Sequence, residues 1–314
     1  MLIHDGRSDV IKGYLYRMQK NLSPRTNESP ESKKDPESSF EKNKIQSNNK
    51  FIKIKEYAKK QIEKSENSID YDPDSFNPSN LTPVYLLGKG SFGEVYLIER
   101  QIDKKQFALK VLMKKKVFSQ NLVRYAKTER NVLCLTHHPF IVSLYAAFQT
   151  SDRLFMVMEY CPGGDLGKVI TREKRIPEER AKIYAAEIIL ALEDLHKRDI
   201  IFRDLKPENV VLDSEGHAKL TDFGLSKEGV MDNVSAKSFC GSIAYLAPEM
   251  LKKSGHGKSV DWYLLGVLIY EMLTGQPPFY TNQKELLFKA IVTAPPKFPP
   301  TMSEEAKRLL SGVH

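Results

Sequence analysis

Long apolar stretches, cysteines and a concentrated charge of one sign are all scarce in this 314-residue chain. The longest apolar run, residues 262–270, falls far short of the ~20 residues that a membrane-spanning helix needs, so it reads as a helix buried on all sides. The opening segment MLIHDGRSDVIKG has no apolar core ahead of a cleavage signal. Three cysteines, Cys134, Cys161 and Cys240, form neither a C-x-x-C pair nor an even set, so neither a disulfide framework nor a zinc site is indicated. The expected compartment is therefore reducing, and the expected location cytoplasmic. The formal net charge is only +8, with 15 basic against 13 acidic residues in positions 1–80 and 33 against 27 in the rest. An excess spread this thinly gives no basic stripe for nucleic acid.

What is present divides the chain in two. Residues 21–80 are rich in Ser, Asn, Lys, Glu and Pro, and hold too little apolar surface to offset the entropy of ordering. Positions 1–80 are accordingly expected to be mostly disordered. Within them, residues 51–64 (FIKIKEYAKKQIEK) read as a solvated charge run, with a transient helix as the alternative. From residue 81 the texture changes to short β-rich runs at 84–87, 94–100, 106–113, 141–149 and 153–159, interrupted by one helix at 122–135. The loop that follows carries adjacent His137 and His138, which read as solvated rather than metal-bound. Beyond Cys161, Tyr184, Ile188, Leu192 and Leu195 fall on one helical face. The expected fold class is α+β, with a small β-rich lobe at 81–160 and a larger helical lobe at 161–314.

Four motifs carry chemistry. Gly88-Lys89-Gly90-Ser91-Phe92-Gly93-Glu94-Val95 is a glycine-rich turn, where missing Cβ atoms let backbone N–H groups approach phosphate. A dinucleotide fingerprint would require a helix directly after it, whereas 94–98 reads as a strand. Lys110 stands on a strand in Phe107-Ala108-Leu109-Lys110, and Glu129 on the following helix can orient its ammonium. Arg203-Asp204-Leu205-Lys206-Pro207-Glu208-Asn209 supplies a carboxylate to orient a hydroxyl (Asp204), a cation for the γ-phosphate (Lys206) and a metal ligand (Asn209). Thr221-Asp222-Phe223-Gly224 adds a second hard-oxygen ligand suited to Mg²⁺, and Ala247-Pro248-Glu249 follows downstream. In this order and spacing the set implies phosphoryl transfer from ATP.

On these motifs, together with His138-Pro139-Phe140-Ile141-Val142, Glu159-Tyr160-Cys161-Pro162-Gly163-Gly164-Asp165-Leu166 and Asp222-Phe223-Gly224-Leu225-Ser226-Lys227-Glu228-Gly229, the chain resembles the AGC group of Ser/Thr protein kinases. Within it the likeness is to protein kinase B and its serum-regulated relatives. The resemblance implies a bilobal kinase fold and a nucleotide site built from Leu87, Gly88, Gly90, Gly93, Val95, Ala108, Lys110, Glu129, Met158 as gatekeeper, the 159–161 hinge with Glu159 and Cys161, Asp165, Val211 and Thr221. It also implies that Asp165, Glu208 and Glu271 receive arginines upstream of the target hydroxyl, so that the substrates are proteins with basic motifs. Ser238 falls at the family's activating phosphosite, the target of an upstream kinase, where Arg203 and Lys227 can pair the phosphate. Ser242 is expected to hold Asp204 and Lys206 in register. Leu133, Leu144, Phe202 and Phe223 fall where the family stacks a hydrophobic spine, anchored by Asp261.

The chain also departs from the pattern. Ile243 and Ala244 stand where close relatives carry Pro and Glu, and Tyr125 where several carry a phosphate-contacting histidine. Phe202 replaces the usual His or Tyr. The expected C-terminal lobe is incomplete after residues 303–310, which is expected to lower stability and activity, with a non-catalytic member of the fold as the competing reading. Residues 11–16 (IKGYLY) resemble the first strand of a pleckstrin-homology domain, but no second strand or basic loop follows, so phosphoinositide or membrane binding is not expected.

Overall fold

The computed structural model describes residues 50, 52–63, 76–89, 93–230, 243–252 and 255–313. The 11–16 segment, Gly90, Ser238, Cys240 and Ser242 lie outside them.

Five antiparallel strands form the small lobe: β1 (Leu81–Lys89), β2 (Gly93–Arg100), β3 (Gln106–Met113), β4 (Leu144–Gln149) and β5 (Arg153–Glu159), in the order β1-β2-β3-β5-β4. Ile98 of β2, Phe107 of β3 and Val157 of β5 meet in one buried cluster of the small lobe. Gly93 is required where β2 approaches β3, because a Cβ there would run into the Val111 carbonyl. The strand expected from residue 141 begins later, at Leu144; Ile141 instead makes an isolated parallel bridge to Leu220.

Two helices, not one, interrupt these strands: α2 (Lys114–Ser119) and α3 (Val123–Leu135). The short α2 buries only Val117, too little to leave a periodic signal in the sequence. The large lobe follows with β6 (Gly164–Asp165), α4 (Leu166–Glu173), α5 (Glu178–Lys197), β7 (Val210–Leu212), β8 (Ala218–Leu220), α6 (Pro248–Leu251), α7 (Ser259–Thr274), α8 (Lys284–Thr293) and α9 (Glu304–Val313). As expected, α7 is the buried hub: every residue from Ser259 to Tyr270 is buried. It stops at Gly275, whose φ of 85° closes the helix in the left-handed region against the Lys174 carbonyl. The α+β, two-lobed fold class is thereby borne out.

The expectation of a solvated run at 51–64 is corrected. Residues 52–63 form a helix, α1, packed on the main core. Its exposed positions are Lys53, Glu56, Lys59, Lys60 and Glu63, while Ile54, Tyr57, Ala58 and Ile62 turn inward with a 3.6-residue period. That stripe is too small to support a free helix. An aromatic surface formed by Phe140 and His217 completes it. Phe76 likewise precedes the expected boundary yet sits in the small-lobe core, edge-on to Phe107 at 5.1 Å and beneath the Arg100 guanidinium at 4.8 Å.

Candidate active site

Lys110, Glu129 and Asp222 converge. β3 carries Lys110 in register with Val95 on β2 and Met156 on β5, so its backbone is fixed between two neighbouring strands. Its Nζ lies 2.5 Å from Glu129 on α3 and 3.4 Å from Asp222. Burial works against the lysine's charge, but the carboxylates of Glu129 and Asp222 outweigh it and hold its pKa above the usual range. The Lys110 cation in turn holds the Asp222 carboxyl below its ordinary value. Asp222 itself sits at φ 62°, ψ 73°, a left-handed conformation that aspartate tolerates better than bulkier residues.

The second half of the site is the loop before β7. Asp204 is buried, and its Oδ2 accepts from Lys206 Nζ at 3.0 Å and from Asn209 Nδ2 at 2.7 Å. Its Oδ1 is buried without a hydrogen-bond partner among the described residues. Burial raises the Asp204 pKa. Asn209 also donates to the Asp204 carbonyl at 2.8 Å, and its own carbonyl accepts from the Thr221 N–H at 3.0 Å. Thus one asparagine ties the 204–209 loop to the strand end that presents Asp222.

This loop rests on α7. The fully buried Asp261 accepts from the Phe202 and Arg203 N–H groups at 2.9 and 2.7 Å, and its Oδ2 lies 2.8 Å from His196 Nε2. Arg203, at φ 67°, turns its guanidinium onto the carbonyls of Leu225 and Ser226 at 2.8 and 3.3 Å. Phe202 and Phe223 meet edge to face at 5.1 Å, and Leu133 is buried in the same core, with Leu144 packed against it. Phe202 therefore fills its position by packing.

Along the cleft, Ala108 pairs with Met158 across β3 and β5, Gly88 with Val95 across β1 and β2, and Val211 with Asp165 across β6 and β7. Leu87 lies beside Gly88 on β1, and a Cβ added to Gly88 would meet open space. Cys161 is half-buried, and burial pushes its thiol up to about 12, so it is an inert neutral group.

The three acids do not lie apart. A Cβ at Gly167 would stand 3.3 Å from Asp165 Oδ1 and 3.7 Å from Glu208 Cγ, so these two flank one glycine. Glu271 accepts a hydrogen bond from the Tyr245 hydroxyl, and burial together with the nearby Glu208 charge raises its pKa.

Sequence reasoning missed Lys219, whose ammonium lies 2.5 Å from Glu159 and ties β8 to the hinge. A lysine inside the short apolar strand Ala218-Lys219-Leu220 was the available signal, since a buried ammonium requires a partner. It also missed Tyr245, whose partner lies 26 residues away. His138, expected in a solvated loop, is half-buried, and burial lowers its pKa to about 4.

Residues 81–314 match the family model described as protein kinase domain. The chain is 49% identical over 228 residues to a RAC-beta serine/threonine-protein kinase of Homo sapiens and 49% identical over 228 residues to Protein kinase 2 of Dictyostelium discoideum. In each case the match covers 73% of this chain and 47% of the relative, so the chain spans about half the length of the curated relatives it matches. A RAC-beta serine/threonine-protein kinase A of Xenopus laevis is 48% identical over the same length. The chain belongs to the protein kinase family, and the expected likeness to the serine/threonine kinases of the protein kinase B type holds.

Proposed function

We propose that the chain binds ATP with Mg²⁺ and transfers the terminal phosphoryl group to serine or threonine hydroxyls of proteins that carry basic residues upstream of the target. The observation that carries this reading is the convergence of Lys110 on Glu129 at 2.5 Å and Asp222 at 3.4 Å, beside Asp204 held by Asn209 at 2.7 Å.

The residues fit the group they are asked to hold. Asn209 and Asp222 offer hard oxygens of the kind that suits Mg²⁺, and Lys110 offers a fixed cation for phosphate oxygens. The bound metal would neutralise charge on the phosphates. Val95, Ala108, Met158 and Val211 would enclose the base, with Glu159 and Cys161 on the hinge. The orphaned Oδ1 of Asp204 is the acceptor for the substrate hydroxyl, and burial makes this carboxylate a better base than an exposed one. Lys206 stays beside it at 3.0 Å and would steady the transferring group. Asp165, Glu208 and Glu271 would receive substrate arginines, an upstream kinase would act on Ser238, and Ser242 would keep the loop in register.

The test is incubation of purified protein with Mg-ATP and an arginine-rich serine peptide, beside Asp204→Asn. Transfer by the parent, reduced about 10³-fold or more in the variant, is expected. No transfer by a parent whose melting temperature still rises with ATP would replace this reading with that of a non-catalytic nucleotide binder.

A further inference from the structure

Helix α1 lies outside the matched kinase domain, yet it covers the point where the two lobes are laced together. The Tyr57 ring stacks on His217 at 4.5 Å and 29° and faces Phe140 at 6.1 Å and 22°. Ala58 beside it is only 6% exposed. Phe140 belongs to the loop after α3, and His217 directly precedes β8. Those two segments are joined by Leu220 N–H to the Phe140 carbonyl at 2.9 Å and Val142 N–H to the Leu220 carbonyl at 3.0 Å. His217 is fixed from below by the fully buried Glu187, which accepts at Oε2 from Ala218 N–H at 2.8 Å and lies 2.7 Å from His217 Nδ1.

From this crossing the catalytic groups hang in both directions. Upstream, Thr136 closes α3 by donating to the Val132 carbonyl at 2.9 Å, and α3 carries Glu129. Downstream, β8 ends at Leu220, two residues before Asp222. A shift of the loop against β8 would therefore change the spacing of the two carboxylates that hold Lys110.

The helix also carries a net positive charge toward an acidic seat: Lys53, Lys55, Lys59 and Lys60 outnumber Glu56 and Glu63 on α1, and Glu187, Asp213 and Glu215 lie near Tyr57. Lys50 reaches Glu179 on α5 at 3.0 Å. The Tyr57 hydroxyl faces the carboxylates of Glu215, Asp213 and Glu187; burial and these charges push it up to about 12, so the ring sits there neutral.

We propose that residues 52–63 act as a brace in cis and that Tyr57 is a positioning residue, holding the loop after α3 against β8 and thereby setting the spacing of Glu129 and Asp222 around Lys110. The proposal uses the phosphoryl-transfer reading only in its kinetic arm.

The experiment compares the full chain with Tyr57→Phe, Tyr57→Ala and Ala58→Glu. Its first readout is hydrogen exchange of the Leu220 and Val142 amides, set against amides of β2 remote from the crossing. Its second is the KM for ATP against kcat. Tyr57→Ala and Ala58→Glu are expected to speed exchange at Leu220 and Val142 about 10-fold with the β2 amides unchanged, and to raise the KM for ATP about 3- to 10-fold. Tyr57→Phe, which keeps the ring, is expected to match the parent. Unchanged protection of Leu220 and Val142 in both disruptive variants would overturn the proposal. So would equal acceleration of exchange throughout the chain, since that is loss of stability alone. A parent without phosphoryl transfer would refute the proposed function, while the exchange arm would still decide the brace.

Discussion

Asp261 on α7 takes both the Phe202 and the Arg203 N–H groups on one buried carboxylate, at 2.9 and 2.7 Å, across 59 and 58 residues of chain. It is fully buried, so no water can replace it. Asp261→Ala leaves two interior donors unpaired and is expected to destabilise the protein by roughly 3–5 kcal/mol in chemical denaturation. Asp261→Asn, which keeps one acceptor oxygen, is expected to cost about half as much.

Lys110 and Glu129 behave as a unit because Glu129 is buried, at 3% exposure, and Lys110 is its cation at 2.5 Å. Lys110→Met strands the Glu129 carboxylate and is expected to cost about 3 kcal/mol, whereas Lys110→Met combined with Glu129→Leu recovers most of that stability. Neither variant is expected to transfer phosphate. Parallel urea melts and activity assays separate the two effects, and a double variant no more stable than Lys110→Met would contradict the argument.

Acid sensitivity follows from His256. It is 3% exposed with its Nε2 unpartnered among the described residues, and burial, together with the Arg203 charge, lowers its pKa to about 4, with Lys227 adding to the fall and Glu249 and Asp261 opposing it. The folded histidine refuses a proton that the unfolded chain accepts near pH 6.5. Stability is thus whole above pH 6.5 and declines as the pH falls toward 4, by up to about 3 kcal/mol from this group. His256→Gln is expected to flatten the melting-temperature profile between those limits.

Glu208 and Glu271 lie close enough for the charge of one to raise the pKa of the other, which a bound guanidinium would relieve. Glu208→Gln with Glu271→Gln is expected to raise the KM for an arginine-rich peptide about 10- to 100-fold, while ATP binding stays unchanged. Steady-state kinetics on matched basic and neutral peptides check this. An equal loss on both peptides would sink the assignment.

Phe76 anchors the segment before β1. Buried at 7% exposure between Phe107, Tyr145 and the Arg100 guanidinium, it is expected to cost roughly 3 kcal/mol on replacement by alanine, measured by thermal melts.

The candidate site was legible before any fold was known, because local spacing carries it: Asp204, Lys206 and Asn209 fall within one short loop, and their side chains meet there. The strands and the buried α7 were legible too, the strands as short β-rich runs and α7 as the longest apolar run. Partners far apart in sequence were not. Lys219 with Glu159, Tyr245 with Glu271 and Asp261 with His196 are single polar residues whose meaning depends on what the chain brings opposite them.

The amino-acid sequence by itself determined the class of fold and marked the residues of the candidate site, because glycine turns, acid and base spacing and apolar runs are properties of short segments. Only the tertiary structure decided that α1 is ordered and where it sits. Its stripe of Ile54, Tyr57 and Ala58 cannot stabilise a helix in water, and becomes sufficient when Phe140 and His217, gathered from distant positions, supply the other half of the contact.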